Sequence, residues 1–196
     1  MYKVNEIFLS LQGEGYNTGT ASVFIRLSGC NLHCAFCDTQ HEQGTMMSLP
    51  EIVEQVIQYP QAPLIVLTGG EPSLWIDEDF LTGLKQMTGK RIAIETNGTR
   101  PLPHGIDWVT LSPKTGLGDS GDLPVVLTRC DELKVVYLGQ DLAQYNSITA
   151  THRYLQPCWV TDLDQRRSNM QATVQAVLDH PEWRLSLQTH RILGIR

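Results

Sequence analysis

Short runs of aliphatic and β-branched residues alternate along this chain with segments of helical periodicity. Val23-Phe24-Ile25-Arg26-Leu27 reads as a strand that stops at Ser28-Gly29. Ser48 and Glu51 have the spacing of a capping box and Pro50 suits a first turn. Ile52, Val53, Val56 and Ile57 then fall on one face, so a helix is expected from Ser48. Leu64-Ile65-Val66-Leu67 is a buried type of strand that runs into Thr68-Gly69-Gly70-Glu71-Pro72. From Glu78 to Met87 the pattern predicts a helix with Phe80, Leu81, Leu84 and Met87 as its apolar stripe. Arg91-Ile92-Ala93-Ile94-Glu95 predicts the next strand, ending at Thr96-Asn97-Gly98. Further strands are expected at 108–111, 133–137, 153–155 and 184–187, with a late helix from about Ser168 to Leu178. The stretch 113–129 has few periodic signals and several Gly and Pro residues, and reads as a long loop.

Alternation of this kind implies βαβ units and a mainly parallel α/β sheet. Polar and glycine-rich segments follow the C-terminal ends of strand after strand, which in parallel α/β folds and barrels is the functional rim. A complete eightfold barrel needs about 250 residues. The chain has 196, so a shortened, partial (β/α) barrel is expected, built as one domain over 1–196. No internal repeat, low-complexity tract or linker interrupts it.

Composition narrows the function classes. With 41% hydrophobic and 18% charged residues the chain fits a soluble globular protein. A formal charge of −6 argues against a broad nucleic-acid surface, while leaving room for a small anion held by one or two local cations. The opening MYKVNEIFLSLQGEG has no long apolar run, and no stretch approaches the roughly 18 apolar residues of a membrane span. The expectation is a cytoplasmic protein without membrane contact. Five cysteines, three of them within 30–37, are a poor fit to disulfides in any case.

Cys30, Cys34 and Cys37 form a C-x3-C-x2-C set in a loop just after a strand. Three thiolates on a cubane 4Fe–4S cluster leave one iron without a protein ligand, and that open iron can chelate the amino and carboxylate groups of S-adenosylmethionine. Two plainer readings stand beside this one. A zinc site could be completed by His33 or His41, although zinc ligands more often come as two separated pairs, or the thiols could be free. The glycines of 68–72 could likewise form an ordinary strand-to-helix turn.

The cysteine set, with Phe36 before its last member, resembles the signature of radical S-adenosylmethionine enzymes. Thr68-Gly69-Gly70-Glu71-Pro72 resembles their GGEP segment, whose backbone binds the methionine amino group. Other segments resemble one family within that superfamily, the 7-carboxy-7-deazaguanine synthases, which make the ring system of queuosine and related 7-deazapurines. They are Leu11-Gln12-Gly13-Glu14-Gly15, Arg26 with Ser28-Gly29-Cys30-Asn31-Leu32, and Cys37-Asp38-Thr39. Later in the chain come Glu95-Thr96-Asn97-Gly98-Thr99, Ser112-Pro113-Lys114, Leu155-Gln156-Pro157 and Leu187-Gln188-Thr189-His190-Arg191. They occur in family order over nearly the whole chain.

The resemblance implies 6-carboxy-5,6,7,8-tetrahydropterin as substrate and a Mg2+-dependent radical ring contraction with loss of ammonia. The 5′-deoxyadenosyl radical would take the C6 hydrogen of the pterin and later return to S-adenosylmethionine. By resemblance Cys30, Cys34 and Cys37 hold the 4Fe–4S cluster and Thr39 the Mg2+. Gly70, Glu71, Glu95, Asn97, Ser112, Lys114 and Gln156 would bind S-adenosylmethionine. Leu11, Gln12, Gly13, Glu14, Arg26, Thr68, Gln188 and His190 would bind the pterin. Their chemistry suits these roles: Gly13 permits close approach, Glu14 can accept from amino and ring N–H groups, and Arg26 can pair with a carboxylate. A single protein oxygen suits Mg2+, which keeps much of its hydration. Cys130 and Cys158 are expected to be buried packing thiols.

Two other functions fit parts of the same pattern. A glycyl-radical activase shares the cysteine spacing but not the Leu-Gln-Gly-Glu-Gly opening or the Gln-Thr-His tail. A non-catalytic zinc- or cluster-binding module would leave the rim motifs unexplained. The resemblance also implies a flavodoxin or ferredoxin as electron donor and a homodimer.

Overall fold

The computed structural model describes residues 1–37, 39–115, 117 and 123–196. Its elements run β1 (Tyr2–Leu11), β2 (Ala21–Leu27), β3 (Thr45–Met47), α1 (Leu49–Val56), β4 (Leu64–Gly69), α2 (Glu78–Thr88) and β5 (Arg91–Thr96). There follow β6 (Trp108–Leu111), β7 (Arg129–Tyr137), β8 (Thr149–Pro157), α3 (Leu163–Asp179), β9 (Arg184–Leu185) and α4 (Thr189–Leu193). The described strands form one sheet in the order β3-β1-β2-β4-β5-β6-β7-β8-β9. From β2 to β9 every neighbouring pair is parallel; β1 and β3 pair antiparallel at one edge. The sheet is an open, partial barrel. Its far side returns toward β1: the Thr189 N–H donates to the Gly13 carbonyl (2.9 Å) and the Gly15 N–H to Ser186 Oγ (2.9 Å).

Strand pleating sends successive side chains to opposite faces, and here the two faces have different jobs. On the outside, Val23, Ile25, Leu27, Ile65, Leu67, Ile92 and Ile94 pack beneath α1 and α2, against Ile52, Val53, Val56, Phe80, Leu81 and Leu84. Further along, Leu111, Leu133, Val135 and Leu155 pack with Tyr145, Ala176 and Trp183. The intervening positions point inward. Phe8, Phe24, Leu64, Val66 and Ala93 form an apolar inner cluster. Higher up on those strands and on β7 and β8, Arg26, Thr68, Glu95, Lys134 and Gln156 line a cavity. Burial on both faces explains why β4 reads as a continuous aliphatic run.

The helix boundaries follow local chemistry. The Glu51 carboxylate accepts from the N–H and hydroxyl of Ser48 (both 2.6 Å), as the capping-box spacing predicts. Asp77 caps α2 by accepting from the Phe80 N–H (2.8 Å). Met87 departs from the expected stripe and is half exposed, because the outer core is already closed by Phe80, Leu81 and Leu84. The late helix starts five residues earlier than expected, where Asp162 accepts from the Gln165 N–H (2.7 Å); its first turns are polar and carry no apolar stripe. The last predicted strand shortens to Arg184–Leu185, and Thr189–Leu193 is helical instead. β1 and β3 are absent from the sequence-based reading; a register shift between Val4 and Glu6 breaks the alternation of β1. Of the predicted loop 113–129, residues 116 and 118–122 lie outside the described residues, and Arg129 opens β7. No described helix is long and apolar enough to cross a membrane.

Phe80 is wholly buried and lies 4.5 Å, centroid to centroid, from Tyr2, so it fastens α2 to the antiparallel edge. Phe80→Ala is expected to lower the unfolding free energy by roughly 3–5 kcal/mol, read from the denaturant midpoint at unchanged m.

Candidate functional site

A cavity of about 610 Å³ opens on the inner face of the sheet, within the range of small-molecule sites. The residues predicted from sequence meet there. Leu11, Gln12, Gly13, Glu14, Arg26, Thr68, Gln188 and His190 all line it, as do Gly70, Glu95, Asn97, Ser112, Lys114 and Gln156. Cys30, Cys34, Cys37 and Thr39 form part of the same wall. Glu71 is the exception. It is fully buried, does not line the cavity, and its carboxylate accepts from the Ser73 N–H (3.0 Å), Thr96 Oγ1 (2.8 Å) and the Asn97 N–H (2.8 Å). Its side chain holds the ends of β4 and β5 together. Asp38 lies outside the described residues.

The cysteine loop is docked by backbone bonds from the glycine turn after β4. The Gly70 N–H donates to the Leu27 carbonyl (3.0 Å) and the Glu71 N–H to the Gly29 carbonyl (2.9 Å). A Cβ on Gly70 would collide with the Gly29 carbonyl, next to the Cys30 N–H, so glycine is required by close approach. Asn31 joins the same loop to β5: its Oδ1 accepts from Asn97 Nδ2 (3.0 Å) and its Nδ2 donates to Thr99 Oγ1 (2.7 Å). Trp75 Nε1 donates to the Ser28 carbonyl (2.5 Å).

Cys30 and Cys34 are half-buried and Cys37 is exposed. Burial pushes the Cys30 thiol up; the Leu32 N–H opposes this, and the nearby Glu71, Cys34 and Cys37 add to it. Iron cations relieve that cost, so the donor set fits an iron–sulfur cluster. Among the described residues no three His, Cys, Asp or Glu side chains converge on one metal ion. A cubane takes each thiolate on a different iron, so its ligands do not need to converge. Thr39 offers a single neutral oxygen beside Arg26, whose Nη1 donates to it (3.3 Å). That suits a hydrated Mg2+ completed by oxygens of a bound substrate.

The cavity floor is a buried ionic network. Lys134, missed in the sequence reading, extends inward from β7 with its side chain 6% exposed. Its ammonium contacts Glu14 Oε2 and lies 3.5 Å from Glu95 Oε1. Gln188 Nε2 donates to Glu14 Oε1 (2.7 Å), Gln12 Nε2 to Glu95 Oε1 (3.1 Å) and Thr68 Oγ1 to Glu95 Oε2 (2.9 Å). Burial alone would raise the Glu14 carboxyl, but the adjoining Lys134 ammonium and the Gln188 amide hold it well below the usual carboxylate range. Lys134 is likewise kept charged: burial works against it, and Glu14, Glu95 and Glu132 outweigh burial. The sequence did hold a clue, since Lys134 interrupts the apolar run Leu133–Val136. Above the floor, Lys114 Nζ donates to the Ser112 carbonyl (2.9 Å) and Oγ (2.5 Å). Burial, then Lys134, lowers its pKa.

At the mouth, Glu6 Oε1 pairs with Arg26 Nε (2.8 Å) and its other oxygen with Arg196. Arg196 also lies over the Phe8 ring, 4.6 Å from its centroid. His190 stands in α4 against Gly13, where a Cβ would strike its ring. Cys158 is buried but lines the cavity as well. Cys130 sits in the second outer cluster, its thiol pushed up to about 12 chiefly by burial, and is a packing residue.

Comparison with known proteins agrees with this geometry. The radical SAM superfamily profile matches residues 24–127. The chain is similar to the 7-carboxy-7-deazaguanine synthase of Bacteroides thetaiotaomicron, at 56% identity over 100% of both chains. It is similar to that of Caulobacter vibrioides at 39% identity over 99% of each. Among solved structures, QueE from Escherichia coli superposes with a TM-score of 0.71 at 30% identity, covering 95% of this chain and 93% of that one. SuiB from Streptococcus suis shares the fold alone, with a TM-score of 0.53 at 15% identity over 82% of this chain and 47% of that one.

Gly70→Ala is expected to force the cysteine loop from its seat, costing roughly 1–3 kcal/mol of stability. Iron retained after anaerobic reconstitution and gel filtration should fall with it, while Gly89→Ala, whose Cβ would meet nothing but whose φ of 67° strains alanine, should lose stability yet keep its iron.

Proposed function

Because the chain belongs to the 7-carboxy-7-deazaguanine synthase family of the radical SAM superfamily, we propose that its cavity converts 6-carboxy-5,6,7,8-tetrahydropterin to 7-carboxy-7-deazaguanine and ammonia. The observation that carries this reading is the convergence of the cysteine loop, the glycine turn and a floor of hydrogen-bond acceptors on one cavity. A bound 4Fe–4S cluster with S-adenosylmethionine supplies a carbon-centred radical able to take hydrogen from a nearby C–H bond.

The chain's own residues then bind and orient. Glu14 accepts from the amino and ring N–H groups of the pterin, and Gly13 lets the heterocycle approach the backbone. Leu11, Gln12 and Thr68 hold its flat face. Arg26 pairs with the substrate carboxylate, which competes with Glu6 for the guanidinium. Thr39 contributes one oxygen to Mg2+. The Gly70 backbone, Glu95 and Asn97 meet the amino acid and ribose portions of S-adenosylmethionine, Ser112 and Lys114 its carboxylate, and Gln156 the adenosine edge. Gln188 and His190 close over the substrate from the C-terminal segment and exclude water. Glu71 serves this arrangement by fixing Thr96 and Asn97. A flavodoxin or ferredoxin as electron donor, a homodimeric assembly and action in the cytoplasm complete the reading.

Anaerobic assay of the reconstituted chain with the carboxypterin, S-adenosylmethionine, dithionite and Mg2+ tests it. The expected product is 7-carboxy-7-deazaguanine with S-adenosylmethionine not consumed in proportion, and its absence overturns the reading. Cys34→Ala is expected to lose both the brown chromophore and turnover, because two thiolates hold a cubane poorly. Thr39→Ala is expected to keep the chromophore and raise the Mg2+ concentration for half-maximal rate at least about tenfold, a loss near 1.4 kcal/mol. An unchanged magnesium titration would take Thr39 out of that site.

A further inference from the structure

We propose that Lys134 is a positioning residue that holds Glu14 and Glu95 apart on the cavity floor, so that Glu14 meets a heterocycle edge built of N–H donors while Glu95 is left to S-adenosylmethionine. This deepens the pterin reading and rests on it.

The geometry makes the case. Lys134 Nζ bonds one oxygen of Glu14 and lies 3.5 Å from one of Glu95. Glu132, two residues away on the same face of β7, adds a third buried carboxylate, held by the Tyr16 N–H (3.0 Å). Two carboxylates facing one cavity floor repel each other, and a cation between them offsets that repulsion. Lys134 fills that place. Among the described residues, the other groups around Glu14 are Lys114 from the loop after β6, whose ammonium is turned onto Ser112, and Gln188 and His190 from the C-terminal segment.

The acceptor character of the floor follows. Every carboxylate oxygen of Glu14 and Glu95 already has a protein donor, yet an oxygen accepts more than one bond. Gln188 turns its N–H toward Glu14, which leaves its buried Oε1 without a partner among the described residues. A pterin's amino and ring N–H edge satisfies the Glu14 side of such a floor. The counterpart with a 2-oxo group in place of the 2-amino group presents an acceptor to acceptors, and a site built for hydrogen bonding rejects it.

The test compares wild type, Lys134→Met and Lys134→Arg in the reconstituted full chain. In Lys134→Met burial is left to dominate Glu14 and raises its pKa, so binding is lost as the pH falls through that raised value. The acid limb of kcat/KM for the carboxypterin should move up into the neutral range, KM at neutral pH should rise at least tenfold, and Lys134→Arg should restore most of both. Wild type should prefer the 2-amino substrate over its 2-oxo counterpart by at least about 100-fold, and Lys134→Met should narrow that preference.

Infrared spectra of protein with 13C-labelled glutamate read the charge without turnover. A protonated carboxyl band should appear in Lys134→Met near neutral pH and vanish in Lys134→Met/Glu14→Gln. An unmoved acid limb with no such band overturns the inference. Wild type that makes no product but shows the band pattern removes the pterin reading and upholds the charge role of Lys134. If Lys134→Met does not fold, the difference between wild type and Glu14→Gln decides: a Glu14 that titrates at or above the ordinary carboxylate range overturns it.

Discussion

Strand register is the constraint on which the rest of this molecule depends. In a pleated parallel sheet a slip of one residue exchanges the two faces. Here it would carry Thr68, Glu95, Lys134 and Gln156 under the helices and turn Leu67, Ile94, Val135 and Leu155 into the cavity. The aliphatic members of these pairs are fully buried beneath α1, α2 and the second outer cluster. Unpaired charges under the helices would cost several kcal/mol each. The outer core therefore sets the register, and the register delivers the polar row to the cavity. Binding chemistry is in this sense a by-product of how the outside packs.

The same economy holds at the rim. The cysteine loop buries Leu32, and backbone bonds from the glycine turn, the Asn31–Asn97–Thr99 bonds and Trp75 hold it in place. Glu71 sits behind that junction with both oxygens satisfied. A buried carboxylate without partners would be costly, and one with three donors is a rigid joint. It ties β4, β5 and the loop into one unit, so thiols and cavity floor keep a fixed relation. The glutamate of the glycine turn thus matters through what it positions.

Much of this was legible in the chain alone. Short aliphatic runs and glycine turns showed the parallel strands from β2 to β8, because their burial on both faces leaves a strong aliphatic signal. The capping box at Ser48 and Glu51 located α1 for the same reason: a local interaction leaves a local trace. The features that escaped are those fixed by distant contacts. β1 carries mixed residues and a register shift, so its alternation is broken. α4 is five residues long and has no buried side chain, and its place comes from the Thr189–Gly13 bond. Lys134 looked like one residue in a strand, since its partners Glu14 and Glu95 are 120 and 39 positions away. Glu71 was placed correctly along the chain, but which way its side chain faced depended on Thr96 and Asn97.

The central claim is that the inward row from Arg26 to Gln156, with Glu14 at its floor, seats the substrate beside S-adenosylmethionine. A crystal structure of the anaerobically reconstituted chain with S-adenosylmethionine and 6-carboxytetrahydropterin tests this most directly. The account expects the amino edge of the heterocycle on Glu14 and its carboxylate at Arg26. A pterin bound the other way round, or outside this cavity, would contradict it.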